Sequence, residues 1–373
     1  MTSDARPCGS GVTLQADHAV GRWYRAWVGW LERWRERMDA LLYLTLRGLA
    51  VSIAVIGLCA LSGATYQHFA KMSDLKRFPP PGRLIDIGGR RLHLLCAGKI
   101  SDHTVVIEAG SGNDVTLWQG ILGRVSRFTH VCAYDRAGLG WSDPVSGPRS
   151  FDDRARDLHS LLQRANIAGP YILVGHSYGG YVVRRFTAAY PQSVSGIILI
   201  DSPDEVWSFA AEGLLDARTI GVREWWRGLA AQFGLLRLGT RLFPGRFDPL
   251  KGVPDEARGE QMALYLRSSR HFAIADEMAA YKAAPPEERS PYGFGRLGDT
   301  PLVVVSRGWN DAVTGDPVYP EWEEAQKRLA SLSTNSVHIV AARSGHMIQF
   351  TEPGVIVHAI QRLLEARGHE PSK

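Results

Sequence analysis

The sequence contains little of what builds metal centres or nucleic-acid interfaces. Only four cysteines occur among its 373 residues, and they lack the paired spacing of a zinc site. The formal net charge is +5 at pH 7, but an arginine-rich N-terminal region supplies part of that excess. No zinc-finger, RNA-binding or basic-stripe motif accompanies it. We therefore expect no nucleic-acid partner, no metal and no organic cofactor.

Long hydrophobic runs are also scarce, since only residues 48–70 form a long stretch without a formal charge. About 20 apolar residues suffice to cross a bilayer as a helix, whereas a buried core helix usually keeps a polar face. The sequence predicts a transmembrane helix at 48–68, with a buried core helix as the alternative. Basic residues flank the run more heavily on its N-terminal side: Arg22, Arg25, Arg33, Arg35, Arg37 and Arg47 precede it, and Lys71, Lys76 and Arg77 follow it. By the positive-inside rule the N-terminus stays cytoplasmic, and the following domain is periplasmic or extracellular.

Two other segments flank this run. Residues 1–47 mix arginine with tryptophan and predict a cytoplasmic segment lying at the membrane interface. The segment is long for the start of a signal peptide, so an uncleaved anchor is favoured, although 62–64 resemble a cleavage site. Residues 69–82 are predicted to link the span to the soluble domain, and Phe78-Pro79-Pro80-Pro81-Gly82 within them predicts a stiff, extended segment. The soluble domain then spans 83–373.

Short apolar runs alternate with helical patterns through this domain. Two alternating runs joined by Gly88-Gly89 predict a hairpin at 83–96. Six further β-prone runs follow, at 104–108, 129–134, 171–174, 196–201, 301–306 and 336–340. Apolar strands separated by helices are typical of a mostly parallel sheet covered on both faces. Cys96 and Cys132 lie in or beside these strands, either as small buried side chains or, after export, as a disulfide.

One stretch between strands has a different pattern. Roughly a hundred residues separate the runs at 196–201 and 301–306 and show no strand periodicity. Their aromatic and leucine residues fall at helical spacing. The sequence therefore predicts a helical cap at about 204–297, placed over the site.

The most informative stretch is Tyr171 to Gly180, in which an apolar run leads into Gly175-His176-Ser177-Tyr178-Gly179-Gly180. A small and aliphatic segment follows, so the order is strand, sharp turn and helix. Such a turn strains the serine backbone and exposes its Oγ at a helix N-terminus, where negative charge is favoured. Ser177 is therefore the candidate nucleophile.

These motifs resemble the α/β-hydrolase superfamily. Asp135-Arg136-Ala137-Gly138-Leu139-Gly140, the Ser177 turn and Ser344-Gly345-His346 occur in the family's order across 81–368. The Gly-His-Ser-x-Gly-Gly turn is similar to that of a bacterial, cap-bearing, esterase-like branch. The resemblance implies an eight-stranded, mostly parallel sheet with a helical cap, preceded here by the N-terminal transmembrane helix.

The resemblance also suggests partners for Ser177, because a serine hydroxyl needs a base within hydrogen-bond reach. His346 occupies the place where the family carries that base. The base in turn needs a carboxylate, and two positions are open. Asp201 ends the run at 196–201, and Asp311 follows the run at 301–306.

The implied oxyanion hole combines the Tyr178 backbone N–H with one near Ser111. The expected reaction is hydrolysis of a carboxylic ester through an acyl-enzyme, on a small molecule with an apolar group. A serine at the turn argues against epoxide hydrolysis, for which the family uses an aspartate there. An amidase or aminopeptidase of the same fold and a non-catalytic ligand receptor are the alternatives. The sequence makes no prediction of oligomeric state.

Overall fold

The computed structural model describes residues 13–145, 147, 149–243, 255–290, 292–308 and 320–366. The chain divides into two compact units, Met1–Ser62 and Gly63–Lys373. Helix α1 (Thr13–Arg77) forms the described part of the first unit and continues into the second.

Helix α1 is long and apolar enough to cross a membrane. Its most apolar 18-residue window has a mean hydropathy of 2.1 and no buried residues. This exposure speaks against the alternative of a buried core helix. The first part of the predicted linker at 69–82 is helical, since α1 ends at Arg77. Nothing between 69 and 77 breaks a helix, and the break comes where Pro79 cannot donate a backbone hydrogen bond.

The sheet of the second unit confirms the predicted fold class. Its eight strands lie in the order β1-β2-β4-β3-β5-β6-β7-β8. The β1–β2 and β2–β4 pairs are antiparallel, and all other pairs are parallel. The strands are β1 (Arg83–Asp86), β2 (Arg91–Ala97), β3 (Thr104–Glu108), β4 (His130–Tyr134), β5 (Tyr171–His176), β6 (Val194–Ile200), β7 (Leu302–Arg307) and β8 (Ser336–Ala341).

Helices cover both faces of this sheet. Apolar side chains of α2 and α13 belong to one core cluster, and those of α3, α4 and α11 belong to the other. Strands β3 to β7 are almost wholly buried, which explains their continuous apolar runs. The helices outside the β6–β7 connection are α2 (Gln119–Val125), α3 (Phe151–Arg164), α4 (Gly179–Ala189), α11 (Pro320–Ala330), α12 (Ile348–Thr351) and α13 (Pro353–Glu365).

The connection between β6 and β7 is helical throughout its regular described part. We call Glu205–Arg289 the helical insertion. It contains α5 (Glu205–Phe209), α6 (Ala211–Gln232), α7 (Leu235–Leu242), α8 (Asp255–Tyr265), α9 (Ser268–Ala283) and α10 (Pro286–Arg289). Helices α6 and α9 pack closely, since a Cβ added to Gly228 would lie 2.6 Å from the Phe272 ring. Helix α9 also reaches the loops that follow β3 and β4, because a Cβ on Gly112 would meet Ile274 and one on Gly138 would meet Ala273.

Candidate active site

Ser177 lies in the sharp turn between β5 and α4. Its φ of 51° is in the left-handed region that a side-chain-bearing residue rarely adopts. The two positions that follow Tyr178 must be glycine, because a side chain there would clash with neighbouring atoms. A Cβ on Gly179 would lie 2.4 Å from the Glu108 carbonyl oxygen, and one on Gly180 would lie 2.3 Å from the Ser202 Oγ. The Ser177 N–H donates to the Ile200 carbonyl at 2.9 Å, which fixes the turn beside the end of β6.

Asp201 and His346 meet at that same strand end. His346 Nδ1 lies 2.6 Å from Asp201 Oδ2, and an ionised carboxylate can only accept, so the ring nitrogen donates. Asp201 is fully buried, with a φ of 42°. Its backbone N–H donates to the Val305 carbonyl at 2.7 Å, which ties it to β7. Of the two candidate acids, Asp201 is the one brought to His346, while Asp311 lies outside the described residues.

Three further donors surround the Asp201 carboxylate. Oδ1 accepts from the Trp322 Nε1–H at 2.9 Å and from the Arg307 N–H at 3.1 Å, and the Arg307 Nε lies 3.7 Å from Oδ2. Burial by itself raises the pKa of Asp201, but the His346 hydrogen bond and the Arg307 charge together hold it below its ordinary value. The carboxylate is therefore ionised and oriented to hold the His346 ring.

His176 has a supporting role that the sequence did not reveal. Its Nε2–H donates to the His346 backbone carbonyl at 3.0 Å, and the two rings lie 4.7 Å apart. Burial, followed by the neighbouring His346, lowers the pKa of His176 to about 3. His176 is thus a neutral ring that fixes the loop carrying His346. The alternating side-chain directions of a strand, with Ser177 next in sequence, are the only signal that could have suggested it.

The candidate oxyanion donors lie at the ends of β3 and β5. Tyr178 occupies the N-cap position of α4, where backbone N–H groups lack a partner within the helix. Ser111 is in the loop after β3, and its hydroxyl donates to Glu277 Oε2 at 2.7 Å. The Gly112 N–H donates to the same oxygen at 3.0 Å. Sequence reasoning missed Glu277, which belongs to α9 of the helical insertion.

A buried arginine connects Glu277 to the same loop. The Arg136 Nε–H donates to Glu277 Oε1 at 2.7 Å, and Arg136 also bonds the carbonyls of Ala109 and Gly110 and the carboxylate of Glu108. Burial raises the pKa of Glu277, but the charges of Arg136 and Arg154 and the hydrogen bonds from Arg136 and Ser111 together leave it below its ordinary value. Glu277 is therefore an anion neutralised by Arg136, which limits its repulsion of a charge developing near Ser111.

A cavity of about 430 Å³ adjoins this network. Its lining includes Arg136, Arg154 and Glu277 together with Phe272 and Trp225 of the helical insertion, whereas Ser177, His346 and Ser111 are not among the described residues that line it. An apolar wall beside a few charged groups is typical of a small-molecule site.

One cluster has the composition of a metal site. Cys96, His130 and Cys132 place their ligand atoms within 4.8 Å of one another. Cys96 and Cys132 face each other across β2 and β4 and are joined in a disulfide. Thiolates are the form in which cysteine binds metals, so the joined sulfurs are not available as metal ligands.

Comparison with known proteins identifies the fold independently. A protein described as "Probable transporter efuK" from Hormonema carpetanum is 26% identical over 298 residues, covering 76% of this chain but only 42% of that protein. Among solved structures, a thermophilic esterase from Thermogutta terrifontis has a TM-score of 0.55 and 21% identity over 75% of this chain and 95% of its own. The Cif epoxide hydrolase from Acinetobacter nosocomialis has a TM-score of 0.60 and 15% identity over 81% and 96%. Identities this low establish the fold alone.

The family itself follows from a sequence model. The model of the Alpha/beta hydrolase family matches residues 104–359, which is more than half of the chain. The matched range contains the Ser177 turn, Asp201 and His346. The predicted resemblance to the superfamily is therefore confirmed, and this chain belongs to the α/β-hydrolase family.

Proposed function

We propose that the protein is a membrane-anchored serine hydrolase that cleaves a carboxylic ester by means of Ser177, His346 and Asp201. The observation that carries the proposal is the 2.6 Å bond between His346 Nδ1 and the buried Asp201 carboxylate, beside a serine held at a φ of 51°. The turn that holds Ser177 is bonded to Ile200, the residue before Asp201, and Asp201 orients His346. This supports His346 as the base that activates the serine hydroxyl.

In the proposed reaction, Ser177 Oγ attacks the ester carbonyl carbon while His346 Nε2 takes the hydroxyl proton. Asp201 stabilises the imidazolium that forms. The backbone N–H groups of Tyr178 and Ser111 donate to the carbonyl oxygen as it becomes an anion, an interaction worth a factor of about 10²–10³ per donor. His346 then protonates the leaving alcohol, and water, activated by the same histidine, releases the acid from the acyl-enzyme.

The choice of an ester rests on the nucleophile, and the apolar group proposed for the substrate rests on the cavity that Glu277 lines. Epoxide hydrolases of this fold attack through an aspartate at the turn, so the fold shared with one of them does not carry over its chemistry. The apolar side chains of Trp225 and Phe272 support a substrate with an apolar group. An amidase or aminopeptidase requires a group that binds a substrate amine, and a receptor requires no activated serine.

The membrane part of the proposal rests on α1. We propose that 48–68 span the bilayer, with the N-terminus cytoplasmic and the hydrolase domain periplasmic or extracellular. The exposed apolar window supports the span, and the Cys96–Cys132 disulfide supports an oxidising compartment for the domain.

The test uses the full chain in detergent with a fluorophosphonate probe, which reacts with activated serines. We expect labelling and turnover of p-nitrophenyl esters, with both lost in Ser177→Ala. Ser126→Ala, which removes a hydroxyl bonded to Gly123 within its own helical turn, is the control and should retain both. A folded wild-type protein that does not label would favour the receptor, and faster cleavage of anilides than of matched esters would favour the amidase.

A further inference from the structure

Helix α7 of the helical insertion exposes its leucine side chains and buries an arginine side chain. Leu235, Leu238 and Leu242 are 59%, 49% and 61% exposed, whereas Arg237 on the same helix is only 7% exposed. A helix on a water-facing surface has the opposite arrangement, with its apolar stripe towards the core. Phe243, directly after α7, adds a fourth apolar side chain at 55% exposure. We call Leu235, Leu238, Leu242 and Phe243 the α7 face.

The hydrogen bonds of the buried Arg237 side chain explain why α7 cannot rotate to bury the α7 face. The Arg237 Nε–H donates to Gln67 Oε1 at 3.1 Å, and its Nη2 donates to Asp74 Oδ2 at 2.5 Å. Gln67 in turn donates to the Leu266 carbonyl at 2.7 Å. Rotating α7 to bury its leucines would leave Arg237 without these partners, and a buried unpaired charge is strongly destabilising.

These contacts place α7 against the end of the apolar run in α1. A Cβ on Gly63 would lie 2.3 Å from the Phe233 carbonyl oxygen, so the turn entering α7 abuts α1 directly. Tyr66 and Phe69 of α1 are 41% and 68% exposed, and the Arg241 guanidinium lies 5.9 Å from the Tyr66 ring centroid. Aromatic rings and arginine side chains with apolar stems are enriched at the boundary between lipid and water.

We propose that the α7 face docks into the surface of the lipid bilayer beside the point where α1 leaves it. The proposal rests on the membrane span of the proposed function. The contacts of α7 carry it, because they are made with residues 63–74 of α1, the segment in which the apolar run ends. Single exposed leucines are common on soluble proteins, but four apolar side chains beside an inward arginine form one continuous surface.

Docking of the α7 face also positions the helical insertion at the membrane surface. α7 follows α6, and Trp225 of α6 lines the cavity that is also lined by Arg136 and Glu277, the two side chains bonded to the oxyanion loop. An insertion held on the bilayer keeps that cavity close to the lipid. The substrate class that fits is an ester with an apolar chain that partitions into the membrane.

The test measures lipid contact at single positions in the full chain. Cys8 and Cys59 are replaced by serine, and Leu238→Cys is labelled with a bimane dye in vesicles of phosphatidylcholine and phosphatidylglycerol. Brominated phosphatidylcholine quenches a dye that contacts acyl chains. The matched control is Ile100→Cys, at a position 87% exposed in the loop between β2 and β3. Ile56→Cys, 67% exposed within the apolar run, reports on the span.

We expect quenching at position 238 to be several-fold greater than at position 100 and to approach that at position 56. Quenching at 56 with none at 238 overturns the docking and leaves the span intact, while no quenching at either position overturns both. Disulfide cross-linking between two copies at 238 without lipid quenching assigns the α7 face to a second copy instead. Leu242→Cys repeats the measurement if the first variant fails to fold, and fluorophosphonate labelling checks the active site separately.

Discussion

The two halves of the candidate site are built in different ways. The base half comes from the ends of sheet strands: Asp201 follows β6, Arg307 ends β7, and His346 follows β8. The oxyanion half includes a loop of the sheet whose Ser111 and Gly112 are bound by Glu277 of the helical insertion. The sheet therefore suffices to orient the base, whereas the oxyanion loop also depends on where the insertion lies. Changes to the two halves should produce different kinetic signatures.

The largest effect is expected in the base half. Asp201→Asn should lower kcat by about 10⁴, because the amide no longer stabilises the imidazolium or fixes the ring tautomer. Asp204→Asn is the matched control, since Asp204 is buried nearby but caps α5 and pairs with Arg328. It should affect stability more than kcat. Steady-state turnover of a p-nitrophenyl ester measures both, and a mild loss in Asp201→Asn beside a large loss in Asp311→Asn would reverse the assignment of the acid.

A smaller loss is expected when the insertion releases the oxyanion loop. Glu277→Ala should lower kcat by about 10²-fold with a lesser change in KM, because a misplaced donor weakens binding of the oxyanion and not of the ester. Glu277→Gln should recover part of the loss, since its carbonyl still accepts from Ser111 and Gly112. Glu277 acts here as a positioning residue.

Glu224 provides the comparison for that experiment. It is another buried carboxylate of the insertion, but its partners, His271 and Arg227, belong to the insertion too. Glu224→Gln should lower the thermal stability and leave kcat within a few-fold of wild type. Equal kcat losses in the Glu224 and Glu277 variants would mean that the insertion acts through general stability and not through the loop.

The base half should also show a dependence of stability on pH. The pKa of His176 is lowered to about 3 in the folded chain, against about 6.5 when unfolded. Only the unfolded state binds this proton between those values, so stability is complete above pH 6.5 and falls as the pH drops towards 3, by about 1.4 kcal/mol per pH unit at most. Thermal unfolding across pH 4–7 should show a flatter profile in His176→Gln. An unchanged profile would contradict a buried, neutral His176.

The smallest functional effect is expected at the Cys96–Cys132 disulfide, which lies in the sheet. Thiol labelling of the denatured, unreduced chain should modify Cys8 and Cys59 and miss Cys96 and Cys132. Its loop closes over a sequence separation of 36 residues, so reduction should cost about 3–4 kcal/mol of stability on the chain-entropy estimate and leave kcat nearly unchanged. Labelling of all four cysteines would show that the pair is not joined.

The sequence was sufficient to predict those parts of the fold and the site that depend on local residue patterns. The turn at Ser177 and the strands around it follow from glycine spacing and apolar runs, both of which act over a few residues. The choice between Asp201 and Asp311 depends on which strand end approaches His346, so it stayed open until the fold was known. Glu277 is separated from Ser111 by 166 positions, and its only local sign is a pair of carboxylates, Asp276 and Glu277, within an apolar stretch of α9.

The helical part of the predicted linker was missed for a similar reason. Proline predicts where a helix stops, and α1 does end shortly before Pro79. The pattern did not show that residues 69–77 would remain helical and pack on α7, because that packing depends on Arg237, far along the chain. Local helix propensity therefore predicted roughly where α1 ends, but not that residues 69–77 belong to it.

The bonds between Arg237 and α1 affect how this protein can be shortened for expression. A chain that begins after the predicted linker would lack Gln67 and Asp74, the two residues whose side chains accept hydrogen bonds from Arg237. It would also lose the backbone at Gly63 that packs against Phe233. A soluble version should therefore begin near residue 63, so that the last turns of α1 stay as part of the domain they complete.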